Sequence, residues 1–174
     1  MEDLIERRSP LLVLGLGNLL LSDDGLGLEL LAVLRRAHGG DDAIEFLDGG
    51  TQGTALLGEL EGRQALLIVD AVAGDEPGAV VRVDDPLTWA TPAGLGGHGA
   101  NASGLLAAAL LVGWLPKHVV VVGVTPSSLD TGIGLSAVVR DALPRAMEVA
   151  ETTLAEFGRS LDVESEHGGA LCTS

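Results

Sequence analysis

The residues of this sequence with the means to do chemistry are carboxylates and one imidazole set at the ends of apolar runs. Asp23 and Asp24 follow Gly15-Leu-Gly17-Asn18, Asp48 opens Asp48-Gly49-Gly50-Thr51, Asp70 closes the run Leu-Leu-Ile-Val, and His98 lies in Gly94-Leu-Gly96-Gly97-His98-Gly99. Two carboxylates and an imidazole suit a borderline divalent ion with open coordination positions. Hydrolysis on such a rim would rely on a metal or on carboxylates activating water. Asp24, Asp70 and His98 stand 46 and 28 residues apart, so no local motif joins them and only the fold can bring them together.

Each has an ordinary structural explanation. One of Asp23 and Asp24 can cap a helix, and Asp48 can serve as a turn residue and cap. His98 can be plain surface, and Asp70 can be paired with Arg82. Asp70 is the hardest to dismiss, since a carboxylate at the end of a buried strand is costly unless paired.

Other chemistries find no support. A dinucleotide fingerprint needs glycine where this chain has Leu20, and the Gly-Lys-Ser/Thr of a phosphate loop is absent. There is no Gly-x-Ser-x-Gly elbow, and the single cysteine, Cys172, lies in a polar tail, which excludes an intrachain disulfide and a cysteine-cluster metal site. His38 ends a helix, His118 precedes a strand and His167 is in the tail.

The elements that must position these residues read as alternating strands and helices. Leu11 to Leu16, Ala43 to Leu47, Ala65 to Val69 and His118 to Val124 are short, continuously apolar runs, as expected of strands buried on both faces of a parallel sheet. Ala79 to Val83 is expected as an edge strand antiparallel to its predecessor. Helices are expected from Asp24 to the Gly39-Gly40 stop, over Thr54 to Leu60, over Asn101 to Val112, and from near Leu135 to Phe157 with a kink at Pro144. The order β-α-β-α-β-β-α-β-α predicts a three-layer αβα domain with a mainly parallel five-stranded sheet. One domain spans residues 1 to 174, with its core at 11 to 158 and mobile termini at 1 to 9 and 160 to 174. Ligands in such sheets sit beyond the carboxyl ends of the strands, where the acids fall.

Composition narrows the class. The 174 residues carry a formal charge of −15, which argues against nucleic acid as partner. Apolar residues make up 47% and mean hydropathy is +0.38, so the chain is globular rather than a disordered acidic polymer. A chain of this length buries roughly 70% of its unfolded surface. Aromatics are 2% and tyrosine is absent, so the core is aliphatic and base-stacking platforms drop out. No secretory signal and no apolar run long enough for a membrane span is evident. A soluble, cytoplasmic protein that acts as a monomer is expected.

Taken together, Leu-Gly-Asn-Leu-Leu-Leu-Ser-Asp-Asp-Gly-Leu-Gly (16 to 27), Leu-Asp-Gly-Gly-Thr-Gln-Gly (47 to 53), Leu-Ile-Val-Asp-Ala-Val (67 to 72), the glycine-flanked His98, Val-Gly-Val-Thr-Pro-Ser-Ser-Leu-Asp (122 to 130) and Gly-Leu-Ser (134 to 136) resemble, in family order, the nickel-iron hydrogenase maturation endopeptidases. The resemblance implies a phosphorylase/hydrolase-like α/β fold. It also implies a peptidase, of the aspartic endopeptidase kind, that removes the C-terminal extension of the hydrogenase large-subunit precursor. It places the metal-contacting and catalytic residues on Asp24, Asp70 and His98, and substrate recognition on Asp48 with Gly49, Gly50 and Thr51. Nickel is implied as borrowed from the precursor, where cysteine thiolates hold it, so the resting protein need carry none. Three oxygen and nitrogen ligands without a thiolate form an incomplete nickel site that substrate ligands complete.

Two readings of other classes compete. A phosphoacceptor receiver domain also has an acidic pair after its first strand and an aspartate ending its third, but it needs a lysine after its fifth, and the only lysine, Lys117, precedes that strand. A non-catalytic metallocentre chaperone would use the same rim without cleaving; a cleavage assay separates it from a peptidase.

Overall fold

The computed structural model describes residues 8–84 and 100–168. Strands β1 (Leu11–Leu16) and β3 (Ala65–Ala71) are buried at every residue, and β5 (His118–Val124) at all but its first, as expected of strands covered on both faces. They form the middle of a sheet ordered β2-β1-β3-β5-β4, with β2 (Ile44–Gly50) and β4 (Val80–Val83) at its edges. All pairings are parallel except β4 against β5.

Alternation along the strands sorts the core into two layers. Leu11, Val13, Leu67, Val69, Val120 and Val122 face α1 (Leu26–His38) and α4 (Ala137–Gly168). Leu12, Leu14, Leu66, Ile68 and Val121 face the opposite side, where α2 (Leu57–Leu60) and α3 (Ala100–Val112) supply Leu60, Leu105, Leu106 and Ala109. The result is the three-layer α/β architecture expected from the order of elements.

Two expectations need correction. Strand β4 is an antiparallel edge strand, but its partner is β5 and not its predecessor β3. The fully apolar β5 takes the central place beside β3, while β4, four half-buried residues with Arg82 among them, suits the edge. Second, the last helix does not end at Phe157, because α4 continues through Pro144 and on to Gly168. The last turns of α4 are held by Glu164, which pairs with Lys117 and lies 3.3 Å from the His118 imidazole. Strand β2 runs on to Gly50, so Asp48-Gly49-Gly50 ends the second strand as expected.

The pole of the sheet at the strands' amino ends is tied by charge. Arg63, 6% exposed, donates to the Ser9 and Glu59 carbonyls and to Glu45 Oε2 at 2.6, 3.0 and 2.5 Å. A cleft at the same pole is lined by Arg82, Lys117, His118 and Glu156, and its cations are already paired with Asp84, Glu156 and Glu164. No helix among the described residues is long and apolar enough to cross a membrane.

Leu14 is fully buried and Leu111 is 87% exposed. Leu14→Ala should therefore cost about 2–5 kcal/mol of unfolding free energy, and Leu111→Ala less than about 0.5 kcal/mol, as read by urea denaturation.

Candidate active site

The sheet order reverses direction between β1 and β3, the place where open α/β sheets bind ligands beyond the strand ends. Both neighbouring strands deliver acids there. From β1 the chain turns through Gly17, whose φ of +128° is open to glycine alone. A Cβ at Gly17 would stand 1.9 Å from the Asp24 carbonyl oxygen, so the chain folds back tightly on a 3-10 turn at Ser22–Gly25. Gly27 then seats the first turn of α1 on the strand ends, where a Cβ would come within 2.2 Å of the Leu16 carbonyl, 2.4 Å of that of Val69 and 3.0 Å of Asp70 Cα. Glycine at 17 and at 27 is therefore a packing requirement that brings the Asp24 turn over the end of β3.

Asp70 is 2% exposed and accepts one hydrogen bond, from the Ala71 amide to Oδ1 at 2.8 Å. Its structural explanation fails: Arg82 pairs with Asp84 at 2.7 Å and Glu156 at 2.6 Å, and among the described residues no cation pairs with Asp70. Burial, opposed by the Ala71 amide and reinforced by the charge of Asp24, pushes its carboxyl from 3.8 up to about 8. The half-buried Asp24 thus lies within electrostatic reach of Asp70.

Asp23 has the opposite character. It is fully buried, yet accepts from the Ser127 and Ser128 amides at 2.8 and 3.0 Å, the Ser136 amide at 2.6 Å and the Ser136 hydroxyl at 2.9 Å. Burial alone would raise its pKa, but these donors outweigh burial and hold it below the usual carboxylate value. Neither Asp23 nor Asp24 caps a helix, so the expected capping role is absent. Ser136 is the cap instead, its hydroxyl accepting from the Val139 amide at 3.4 Å in the first turn of α4. The pairing of Asp23 with residues more than a hundred positions away is the part of the site that local sequence patterns do not reveal; the recurring serines Ser127, Ser128 and Ser136 are its only trace.

Asp48 is exposed at the end of β2, beside β1, with Oδ1 accepting from the Gly50 amide at 3.1 Å. That bond is the turn-forming contact expected of it. Asp48 pairs in register with Gly15, which on its other side pairs with Val69. Asp48 therefore lies at the same end of the sheet as Asp70, two strands away and one residue out of level, with the two side chains on alternate faces. Gly50 accepts from the Gly17 amide at 3.0 Å, joining this turn to the one that carries Asp24. His98 lies outside the described residues, and among those described no three metal-ligating side chains converge. The structure thus brings Asp24 and Asp70 together and places Asp48 on the same rim. Thr125, just past β5, adds at the same end of the sheet a buried hydroxyl that has no hydrogen-bond partner among the described residues.

The environment of Asp70 has a consequence for stability. Its carboxyl ionises near 3.8 in the unfolded chain and near 8 in the folded one, so between these values folding takes up a proton and stability falls as pH rises. Asp70→Asn, which cannot ionise, should gain stability relative to the parent from about pH 4 to about pH 8 and then hold that gain. Urea midpoints across that range read the effect; a difference independent of pH would contradict the burial argument.

The comparisons with known proteins agree with this fold. The family model described as hydrogenase maturation protease matches residues 28–153. The Hydrogenase 2 maturation protease of Escherichia coli is 34% identical over 153 residues, covering 85% of this chain and 92% of that protein. The hydrogenase expression/formation protein HupD of Bradyrhizobium diazoefficiens is 36% identical, covering 85% and 79%. Among solved structures, the hydrogenase maturating endopeptidase HybD of E. coli superposes with a TM-score of 0.73 at 33% identity, covering 85% of this chain and 93% of that one. The HybD maturation protease of Thermococcus kodakarensis gives 0.64 at 29% identity, covering 82% and 97%. On the sequence match and the shared fold together, the chain belongs to the hydrogenase maturation protease family.

Proposed function

We propose that this protein is the endopeptidase that removes the C-terminal extension of a nickel-iron hydrogenase large-subunit precursor, acting after nickel has been inserted. The observation that carries this reading is the pair of carboxylates Asp24 and Asp70 at the switch point, one half-buried and one buried with no cation paired to it among the described residues. A buried carboxylate facing another acid is a site short of positive charge, and a divalent ion supplies it.

Asp24, Asp70 and His98 act in this reading as the protein's contacts to nickel, which arrives as part of the substrate. The oxygen and nitrogen donors complement thiolates already on the ion, so the precursor is engaged once it is loaded. Asp48, Gly49, Gly50 and Thr51 border the same rim and hold the polypeptide. The exposed Asp48 carboxylate and the open edge of β2 offer hydrogen-bonding groups to an extended segment. The protein acts as a cytoplasmic monomer.

The test is incubation of the purified protein with its cognate precursor, with and without nickel loaded, followed by mass spectrometry of the precursor's C-terminus. Loss of the extension from the loaded form alone is expected. His98→Ala should lower processing by more than about a hundredfold, beyond the loss seen when only a supporting group is removed. Stable binding without cleavage of either form would replace the peptidase with a maturation chaperone. Normal processing by His98→Ala would remove that residue from the mechanism.

A further inference from the structure

Strand β3, which ends in Asp70, lies between β1 and β5. The two loops that leave those flanking strands meet beyond its end. Leu21 and Gly132 form a parallel bridge. The Gly132 amide donates to the Leu20 carbonyl and the Ser22 amide to the Gly132 carbonyl, both at 2.9 Å, while the Ser22 hydroxyl donates to the Asp130 carbonyl at 2.9 Å. The Asp23 amide adds a bond to the Ser128 carbonyl at 3.2 Å. At the centre of these contacts is the Asp23 side chain, with its four donors from residues 127 to 136.

This arrangement is more than a tie between loops. Ser22 holds a φ of +47°, the only non-glycine with positive φ among the described residues, and non-glycine residues adopt that conformation at a cost. The strained residue sits immediately before Asp23 and two positions before Asp24. Hydrogen bonds on both sides of it fix the direction in which the chain leaves for Asp24. A buried carboxylate satisfied wholly by amide and hydroxyl dipoles is rigid in a way that a surface loop contact is not.

From this we infer that Asp23 is a positioning residue, which locks the β1 loop onto the β5 loop and thereby fixes the placement of Asp24 against Asp70. The inference rests on the proposed peptidase reading, in which Asp24 and Asp70 meet the substrate directly and Asp23 does not. Asparagine in place of Asp23 keeps the shape but presents one acceptor oxygen and an amide group that faces donors, so the loops lose their common anchor while the two core layers remain. Ser136→Ala removes one donor of the four, and Ser136→Thr retains it.

The experiment compares Asp23→Asn, Ser136→Ala and Ser136→Thr with the parent by single-substrate kinetics on nickel-loaded precursor and by amide hydrogen exchange resolved at Asp24. Circular dichroism verifies the fold. A misplacement near 1 Å costs on the order of a hundredfold in rate. Asp23→Asn should accordingly lose roughly ten- to a hundredfold in kcat with KM changed less than about twofold. Its Asp24 amide should exchange at least about tenfold faster, because the loop opens locally. Ser136→Ala should lie between, and Ser136→Thr should match the parent. A folded Asp23→Asn protein with parental kcat, or with parental exchange at Asp24, overturns the inference. Should Asp23→Asn not fold, Ser136→Ala decides by the same two readouts. If the parent itself fails to cleave, the peptidase reading falls, and exchange at Asp24 still decides whether Asp23 holds the loop.

Discussion

Two carboxylates, both out of contact with water, face opposite electrostatic surroundings at one end of this sheet, and the rim is built on that contrast. Asp23 is met by four donors and stays charged. Asp70 is met by one donor and an acidic neighbour, and its charge is suppressed. The same type of side chain is made into a structural anchor in one place and a group in need of a cation in the other. What differs is the supply of backbone amides: a loop that presents successive N–H groups solvates an anion, while the end of a parallel strand, whose amides are engaged with its neighbours, does not.

The remainder of the molecule supports this contrast. Close packing of Gly27 on the ends of β1 and β3 keeps the rim free of bulk that would hold Asp24 away from Asp70. The aliphatic core on both faces of the sheet makes β3 a rigid base, unable to move without opening both layers. At the far pole, Arg63 and the cations around Glu164 and Glu156 are satisfied by nearby acids and carbonyls. Several of the few cations of this acidic chain are engaged there, and Arg140, in the first turn of α4, is bonded to the Leu135 carbonyl, so that among the described residues no cation pairs with Asp70.

Much of this architecture is legible in the order of residues alone. The apolar runs mark β1 and β5 to the residue, because a strand covered on both faces has no polar alternation to blur its ends. The carboxylates at strand ends follow from topology, since every parallel strand in such a sheet delivers its last residue to one side. What cannot be read locally is long-range: the partner of β4, decided by which strand is apolar enough for the centre, and the role of Asp23, decided by serines over a hundred residues away. Neighbouring positions make Asp23 and Asp24 look equivalent, whereas the fold surrounds Asp23 with four donors and leaves Asp24 half-buried near Asp70. A pairing of Asp70 with Arg82 is plausible from sequence, and fails because Arg82 lies on the edge strand with Glu156 of α4 within reach.

The bonds to Asp23 join positions 104 to 113 residues apart. Contacts of such separation close the longest loops in a chain and bring no return until the intervening segments are in place. Here those segments include β3, α3 and β5, which must dock before Ser127, Ser128 and Ser136 can reach the first loop. Connectivity thus makes closure of the carboxylate rim dependent on the centre of the sheet, since β5 must be docked beside β3 for residues 127 to 136 to reach Asp23. The loop that carries Asp24 therefore lacks its anchoring partners in a nascent chain until synthesis has passed Ser136.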